Sequence, residues 1–200
     1  RVIDRPMRPL FPKDYRNDVT LENLVMSVDP DCSPELTAML GTALAVTISD
    51  IPFDGPCAMT QVGLVDGKFV INPTNAEKKV SDLQLTVAST AEKVIMIEAG
   101  AKEVPEQVMI DAIFEADKVN KQLIEFFAKI RAEIGKEKHS YESAAIPEEL
   151  FSAIREVIPQ EEMEVAVFND DKQSRDAAVD KLTERCKAAF AENEEWIKLI

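Results

Sequence analysis

Asp66-Gly67 is the strongest local instruction in this chain. The pair separates two apolar-rich runs, Ala58 to Val65 and Lys68 to Asn72. It is the dipeptide best suited to a two-residue hairpin, whose tight turn needs positive φ. An antiparallel pair of strands is therefore predicted, with Pro73 stopping the second. Leu83-Gln84-Leu85-Thr86-Val87-Ala88 alternates apolar and polar residues as a half-buried strand does, and Lys93 to Glu98 gives a fourth strand after a turn at Ser89 to Glu92. A long helix follows from Pro105, with Gly135 at its C′ position. Met109, Ile113, Ala116, Asn120, Leu123, Phe127, Ile130 and Ile134 recur at steps of four and three, an apolar stripe broken only at Asn120. Strands first and helices afterwards define an α+β fold.

Ahead of the hairpin, Val19 to Val28 ends in Leu24-Val25-Met26-Ser27-Val28 and reads as a strand, followed by a turn at Asp29-Pro30-Asp31-Cys32. Ser33-Pro34-Glu35 then announces a helix: a capping hydroxyl, a proline at the first helical position and an acid at the positive end of the dipole. Leu36, Met39, Leu40, Ala43, Leu44 and Thr47 form its apolar face, and it ends before Ile51-Pro52. After Gly135 the composition changes. Lys136 to Ser140 reads as a polar connector, and beyond it come helices at Pro147 to Ile158 (Leu150, Phe151, Ile154 and Ile158 inward), at Glu164 to Phe168, and at Lys172 to Phe190 through Val179, Leu182, Cys186 and Phe190. Two domains are expected, residues 1–140 and 141–200. The missing initiator methionine and the apolar end at Trp196 to Ile200 point to a fragment cut within a helical domain.

The first sixteen residues hold five basic side chains (Arg1, Arg5, Arg8, Lys13, Arg16) against two acids, in a chain of net charge −14. Arg1 and Arg5 stand i, i+4, so one helical turn would place both guanidinium groups on one face. Such an island is either a solvated end or an anion site. The acidic remainder argues against a protein that coats nucleic acid with its whole surface, yet leaves RNA contact through a small basic patch open. Three cysteines without ligand-like spacing make a disulfide framework or zinc site improbable. The longest mainly apolar run, Ala38 to Ile48, is about half of the ~20 residues that span a bilayer, so a soluble chain without membrane contact is expected. No phosphate-cradling loop, dinucleotide fingerprint or metalloprotease helix occurs. His139 is the lone histidine, and a solvated connector is its expected setting.

The run Arg1-Val2-Ile3-Asp4-Arg5-Pro6-Met7-Arg8-Pro9-Leu10-Phe11-Pro12 closely resembles a signature of the bacterial polynucleotide phosphorylase family. The resemblance continues through Ser27-Val28-Asp29, Ile48-Ser49-Asp50-Ile51-Pro52-Phe53, Gly67-Lys68-Phe69-Val70-Ile71-Asn72-Pro73-Thr74, Ser81-Asp82-Leu83 and Glu98-Ala99-Gly100-Ala101-Lys102-Glu103-Val104. It implies two RNase PH-like domains joined by an all-helical domain, followed by KH and oligonucleotide-binding β-barrel modules. It also implies a homotrimeric ring that degrades RNA from the 3′ end, with inorganic phosphate as co-substrate and magnesium as cofactor. On that resemblance the chain is the first RNase PH-like domain without its N-terminal part, plus the start of the helical domain. An RNA-degradation complex is an implied partner, and the bacterial cytoplasm, ahead of the mitochondrion, the implied location.

The family's catalytic half carries two aspartates and a lysine for metal binding and proton transfer. Aligning its strand with Leu83 to Ala88 puts Lys78, Gln84 and Thr86 at those places. A lysine, an amide and a hydroxyl do not supply the anionic oxygens magnesium prefers, so no catalytic or metal-binding residue is expected in this chain. Asp82 would alternate to the same face as Gln84, but one carboxylate does not rebuild the pair. Where the catalytic half holds phosphate on serines at a helix N-terminus, Ser33-Pro34-Glu35 offers a proline without N–H and an added negative charge. Arg5 falls at the place of a phosphate-binding arginine in the single-domain relative RNase PH. The expected anion- or RNA-binding residues are thus Arg1, Arg5 and Arg8. The resemblance makes this segment the non-catalytic half of an exoribonuclease that releases nucleoside diphosphates. A stand-alone RNase PH-like nuclease and a purely structural trimerisation scaffold are the alternatives.

Overall fold

In the computed structural model, which describes residues 1–200, a short helical turn opens the chain: α1 (Asp4–Met7), continued by a 3-10 turn at Arg8–Leu10. Met7 and Leu10 are buried, so this basic segment is anchored by its apolar side. Residues 19–28 form no strand. Leu24 is 81% and Met26 90% exposed, and no neighbouring strand completes their backbone hydrogen bonds. β-propensity reflects packing on a pleated surface, and without a partner it does not form a strand.

Helix α2 (Pro34–Ile48) starts where the cap requires, with Ser33 Oγ accepting the Leu36 N–H at 3.3 Å. Its buried face comprises Leu36, Met39, Thr42, Ala43, Val46 and Thr47. Lys138 closes its far end, with Nζ donating to the carbonyl oxygens of Val46 (2.9 Å), Thr47 (3.2 Å) and Ser49 (2.7 Å). These are acceptors that a helix C-terminus leaves without intrahelical partners. The connector is therefore no solvated linker: Lys136 N–H donates to Ile48 O, His139 N–H to Asp50 O, and His139 Nε2 lies 3.2 Å from the Tyr15 hydroxyl.

The hairpin forms as its turn dictates. β1 (Ala58–Val65) and β2 (Lys68–Ile71) meet through Asp66 (φ 50°) and Gly67 (φ 73°). Next comes α3 (Asn75–Val80), which the strand reading missed. Thr74 and Glu77 make a reciprocal capping box immediately after Pro73, a start signal in a helix too short to show periodicity. β3 (Leu83–Ser89) and β4 (Val94–Ala101) complete an antiparallel sheet of order β2-β1-β3-β4.

Helix α4 (Glu106–Ile134) covers one face of the sheet, burying Ala112 and Ala116 against Val62, Leu83, Leu85 and Val87. Asn120, the break in the apolar stripe, is fully buried and satisfied: it accepts from Thr60 Oγ1 at 2.7 Å and donates to Val87 O (3.0 Å) and Ser89 Oγ (3.2 Å). Ile134, at the end of that stripe, is exposed instead. Gly135 caps the helix at φ −67°, not in the left-handed region its residue type led one to expect. Helix α2 covers part of the opposite face, over Met59 and Ala88.

The chain divides into two compact units, Arg1–Ser143 and Ala144–Ile200. Residues 141–143 stay with the first because the Tyr141 and Ser143 hydroxyls both donate to the Asp14 carboxylate. The second unit is helical: α5 (Glu148–Val157), α6 (Gln160–Val167), α7 (Lys172–Ala189) and α8 (Glu194–Ile197). The ambiguous run at 164–168 thus lies largely in a helix. Ile158, Ala166, Leu182 and Cys186 form its core, and Arg185 clamps Glu162 through two bonds of 2.6 and 2.8 Å. Phe151 faces outward, with the Arg155 guanidinium 4.8 Å from its ring centre. No helix is long and apolar enough to cross a membrane.

Candidate functional site

Cross-strand register decides what the uncovered part of the sheet presents. Beyond α2, Gln61, Thr86 and Glu98 stand side by side on β1, β3 and β4, and the next row is Gly63, Gln84 and Gly100. Alternation places both rows on one face, two residues apart along each strand. The N-terminal end of α2 (Ser33 and Glu35), Pro73, Lys78 of α3, and Val2 enclose this surface as a cleft of about 490 Å³. The structure thereby brings together Lys78, Gln84 and Thr86, and sets Ser33 and Glu35 against them.

The chemistry of that cleft is specific. Ser33 Oγ takes the Leu36 N–H and gives its own proton to Glu35 Oε2 at 2.9 Å, so the hydroxyl has no proton left to donate to a phosphate. Bonding from its own backbone N–H, from Ser33 and, more weakly, the charge of Lys78 hold the Glu35 carboxyl below its ordinary value. It is ionised at neutral pH and occupies the positive end of α2 where a phosphate would otherwise sit. Asp82 does not join the cleft. It precedes β3, and its carboxylate meets Lys102 Nζ at 3.4 Å. The carboxylates left in the cleft are Glu35 and Glu98, and nowhere in the chain do three His, Cys, Asp or Glu side chains cluster to hold a metal. The donor set does not fit magnesium, which is bound through hard oxygens with several ligands converging. No cysteine lines the cleft, and burial pushes the Cys57 thiol up to about 12, so it stays protonated at neutral pH.

The arginines lie elsewhere. Arg8 makes a two-pronged contact with Asp4, at 2.6 and 3.2 Å. Arg1 and Arg8 line a separate groove of about 570 Å³, together with Asp4, Phe11 and Tyr15. Arg5 lines neither hollow. Its backbone N–H closes the first turn on Arg1 O, and its side chain is exposed. Gln61 and Glu98 are the cleft residues that sequence reasoning missed. Strand alternation gives each a face, but only the pairing register places them beside Thr86.

The fold and its cleft define a class. Residues 55–119, from just before β1 into the first half of α4, match the family described as "3′ exoribonuclease family, domain 2". The chain is 68% identical over its whole length to a polyribonucleotide nucleotidyltransferase of Lachnoclostridium phytofermentans, of which it covers 29%. It is 50% identical to that of Ruminiclostridium cellulolyticum (96% of this chain, 27% of the relative) and 47% identical to that of Caldicellulosiruptor saccharolyticus (100% and 28%). The chain belongs to the polyribonucleotide nucleotidyltransferase family. It spans less than a third of the length of the curated relatives it matches.

Proposed function

We propose that this chain is the non-catalytic segment of a phosphorolytic 3′→5′ exoribonuclease. Such an enzyme uses inorganic phosphate to break the terminal RNA linkage and releases a nucleoside diphosphate. The observation that carries the reading is 68% identity to a polyribonucleotide nucleotidyltransferase along the entire chain. The segment's own part is ring assembly and contact with RNA. Magnesium and the bond-breaking groups belong to parts of the parent outside these residues, because the cleft offers a lysine, an amide and a hydroxyl (Lys78, Gln84 and Thr86) at the decisive places. The parent works as a homotrimer in the bacterial cytoplasm, and an RNA-degradation complex is the assembly to look for.

Arg1, Arg5 and Arg8 are the anion- or RNA-contacting residues in this proposal. Arg8 shares its charge with Asp4, so of these three arginines Arg1 and Arg5 are the ones without an ion-pair partner.

Incubation of the 200-residue chain with poly(A), phosphate and magnesium tests the reading. RNA binding that weakens steeply with salt, without ADP release, is the expected result. Robust phosphate-dependent ADP release would make the segment an enzyme in its own right and overturn it.

A further inference from the structure

We propose that the cleft on the open face of the sheet is a nucleobase site, selective for an uncharged base that carries an amine beside a ring nitrogen. Adenine and cytosine carry that amine beside an accepting ring nitrogen on their Watson–Crick edge, where guanine's amine adjoins a protonated ring nitrogen instead. The inference concerns binding and holds whether or not the parent performs phosphorolysis.

Besides Lys78, four hydrogen-bonding side chains of the cleft have no partner within the protein: Gln61, Gln84, Thr86 and Glu98. Their order is set by backbone pairing, with Gln61, Thr86 and Glu98 in one row and Gln84 in the next. Gln84 has a glycine on either side, Gly63 on β1 and Gly100 on β4. The two glycines give the slot different ends. A Cβ at Gly63 would stand 3.1 Å from Ser81 Oγ and 3.3 Å from Pro73, so that end is walled. A Cβ at Gly100 would meet nothing within 4 Å, so that end is open. A flat ring can enter over the Gly100 backbone and lie with its edge toward Gln84, its path ending at the proline ring.

Charge narrows the ligand. Glu35 and Lys78 largely offset one another, which leaves the Glu98 carboxylate as the net charge of the cleft. A phosphate would meet that carboxylate and an α2 end whose first turn is already capped by Ser33 and Glu35. A neutral ring pays no such repulsion. The glutamine amide presents one donor and one acceptor at the spacing of an amine and its adjacent ring nitrogen, which is the bidentate pairing glutamine makes with adenine. Glu98 can only accept, so it favours an amine over the carbonyl that uracil presents at the same position.

The test is a titration of the isotope-labelled 200-residue chain with adenosine, cytidine, uridine, AMP and inorganic phosphate, followed by amide NMR shifts. Adenosine and cytidine are expected to move the amides of residues 84–86 and 98–100, more tightly than uridine and AMP. Phosphate is expected to leave them unmoved. Gln84→Ala, at an exposed position, should weaken adenosine about tenfold, the scale of one bidentate base contact. Gly100→Val fills the open end with a strand-favouring residue and should abolish binding while amides elsewhere keep their positions; if that variant unfolds, Gln84→Ala alone decides. An oligoadenylate arm separates the two sources of the base. Affinity well above that of adenosine, falling with salt, identifies a base within an RNA strand, whereas equal affinity identifies the free nucleoside. Phosphate shifting the cleft amides at lower concentration than adenosine, or adenosine binding unchanged in Gln84→Ala, would overturn the assignment.

Discussion

Thr60 Oγ1 donates to Asn120 Oδ1 at 2.7 Å, between the central strand β1 and the helix that covers it. The amide's other end reaches Val87 O and Ser89 Oγ on β3, so one side chain joins a helix to two strands. Asn120→Leu keeps the branching at Cγ but leaves the Thr60 and Ser89 hydroxyls buried without their partner. A destabilisation of about 2–4 kcal/mol is expected, since stranding a buried polar group costs about 1–3 kcal/mol each. Urea unfolding followed by circular dichroism measures it, and a midpoint equal to wild type would show the network to be dispensable.

Gly67 sits at φ 73° in the hairpin turn. Gly67→Ala should cost about 1 kcal/mol, the penalty for a Cβ in the left-handed region. A thermal melt of the variant should fall below that of wild type, and an unchanged melting temperature would mean that the turn relaxes to another type.

Asp14 holds the end of the connector. The Ser143 hydroxyl first, then that of Tyr141, keeps its carboxyl below the ordinary 3.8. A carboxyl whose folded value is depressed contributes stability that is complete above its unfolded value and is lost as pH falls through the folded one. Below about pH 4 the 141–143 segment should therefore loosen in wild type, in line with that ordinary aspartate value. Asp14→Asn should show the looser connector already at neutral pH, with little further change on acidification. Limited proteolysis around Tyr141 as a function of pH distinguishes the two proteins.

The uncommitted charges of Arg1 and Arg5 lead to an anion titration. Phosphate binding to the basic segment should weaken about tenfold or more in Arg5→Ala, the loss of roughly 1.5 kcal/mol or more for a hydrogen bond to a charged group. Isothermal titration of both proteins decides it. Equal affinities would remove Arg5 from the anion-binding set.

What could be read from the sequence follows from range. Asp66-Gly67 and Ser33-Pro34-Glu35 act within a few residues, and both elements stand where those residues put them. Thr74-x-x-Glu77 is as local a signal, yet it sits directly behind a strand-stopping proline in a helix of six residues, too short to show an apolar period. Leu24 to Val28 shows the reverse: a strand-like run whose structure depends on a partner strand that these residues do not provide. Lys138 looked like solvated charge because nothing in its neighbourhood announces the α2 carbonyls lying some ninety positions earlier in the chain. The cleft divides in the same way. Family resemblance brought Lys78, Gln84 and Thr86 into consideration, whereas Gln61 and Glu98 needed the register of three strands.

The uncovered run at residues 24–28 has a colloidal consequence. Leu24-Val25-Met26 is an uncharged, β-prone stretch held open to solvent at 81%, 64% and 90% exposure. Copies of the chain that meet there can supply one another with the missing strand partner. What keeps them apart is mutual repulsion from a net charge of −14. Salt shortens the reach of that repulsion to ~10 Å at 0.1 M. The chain should accordingly remain dispersed in dilute buffer and associate as ionic strength rises, and a charged residue in place of Met26 should suppress that association without touching the sheet or its cleft.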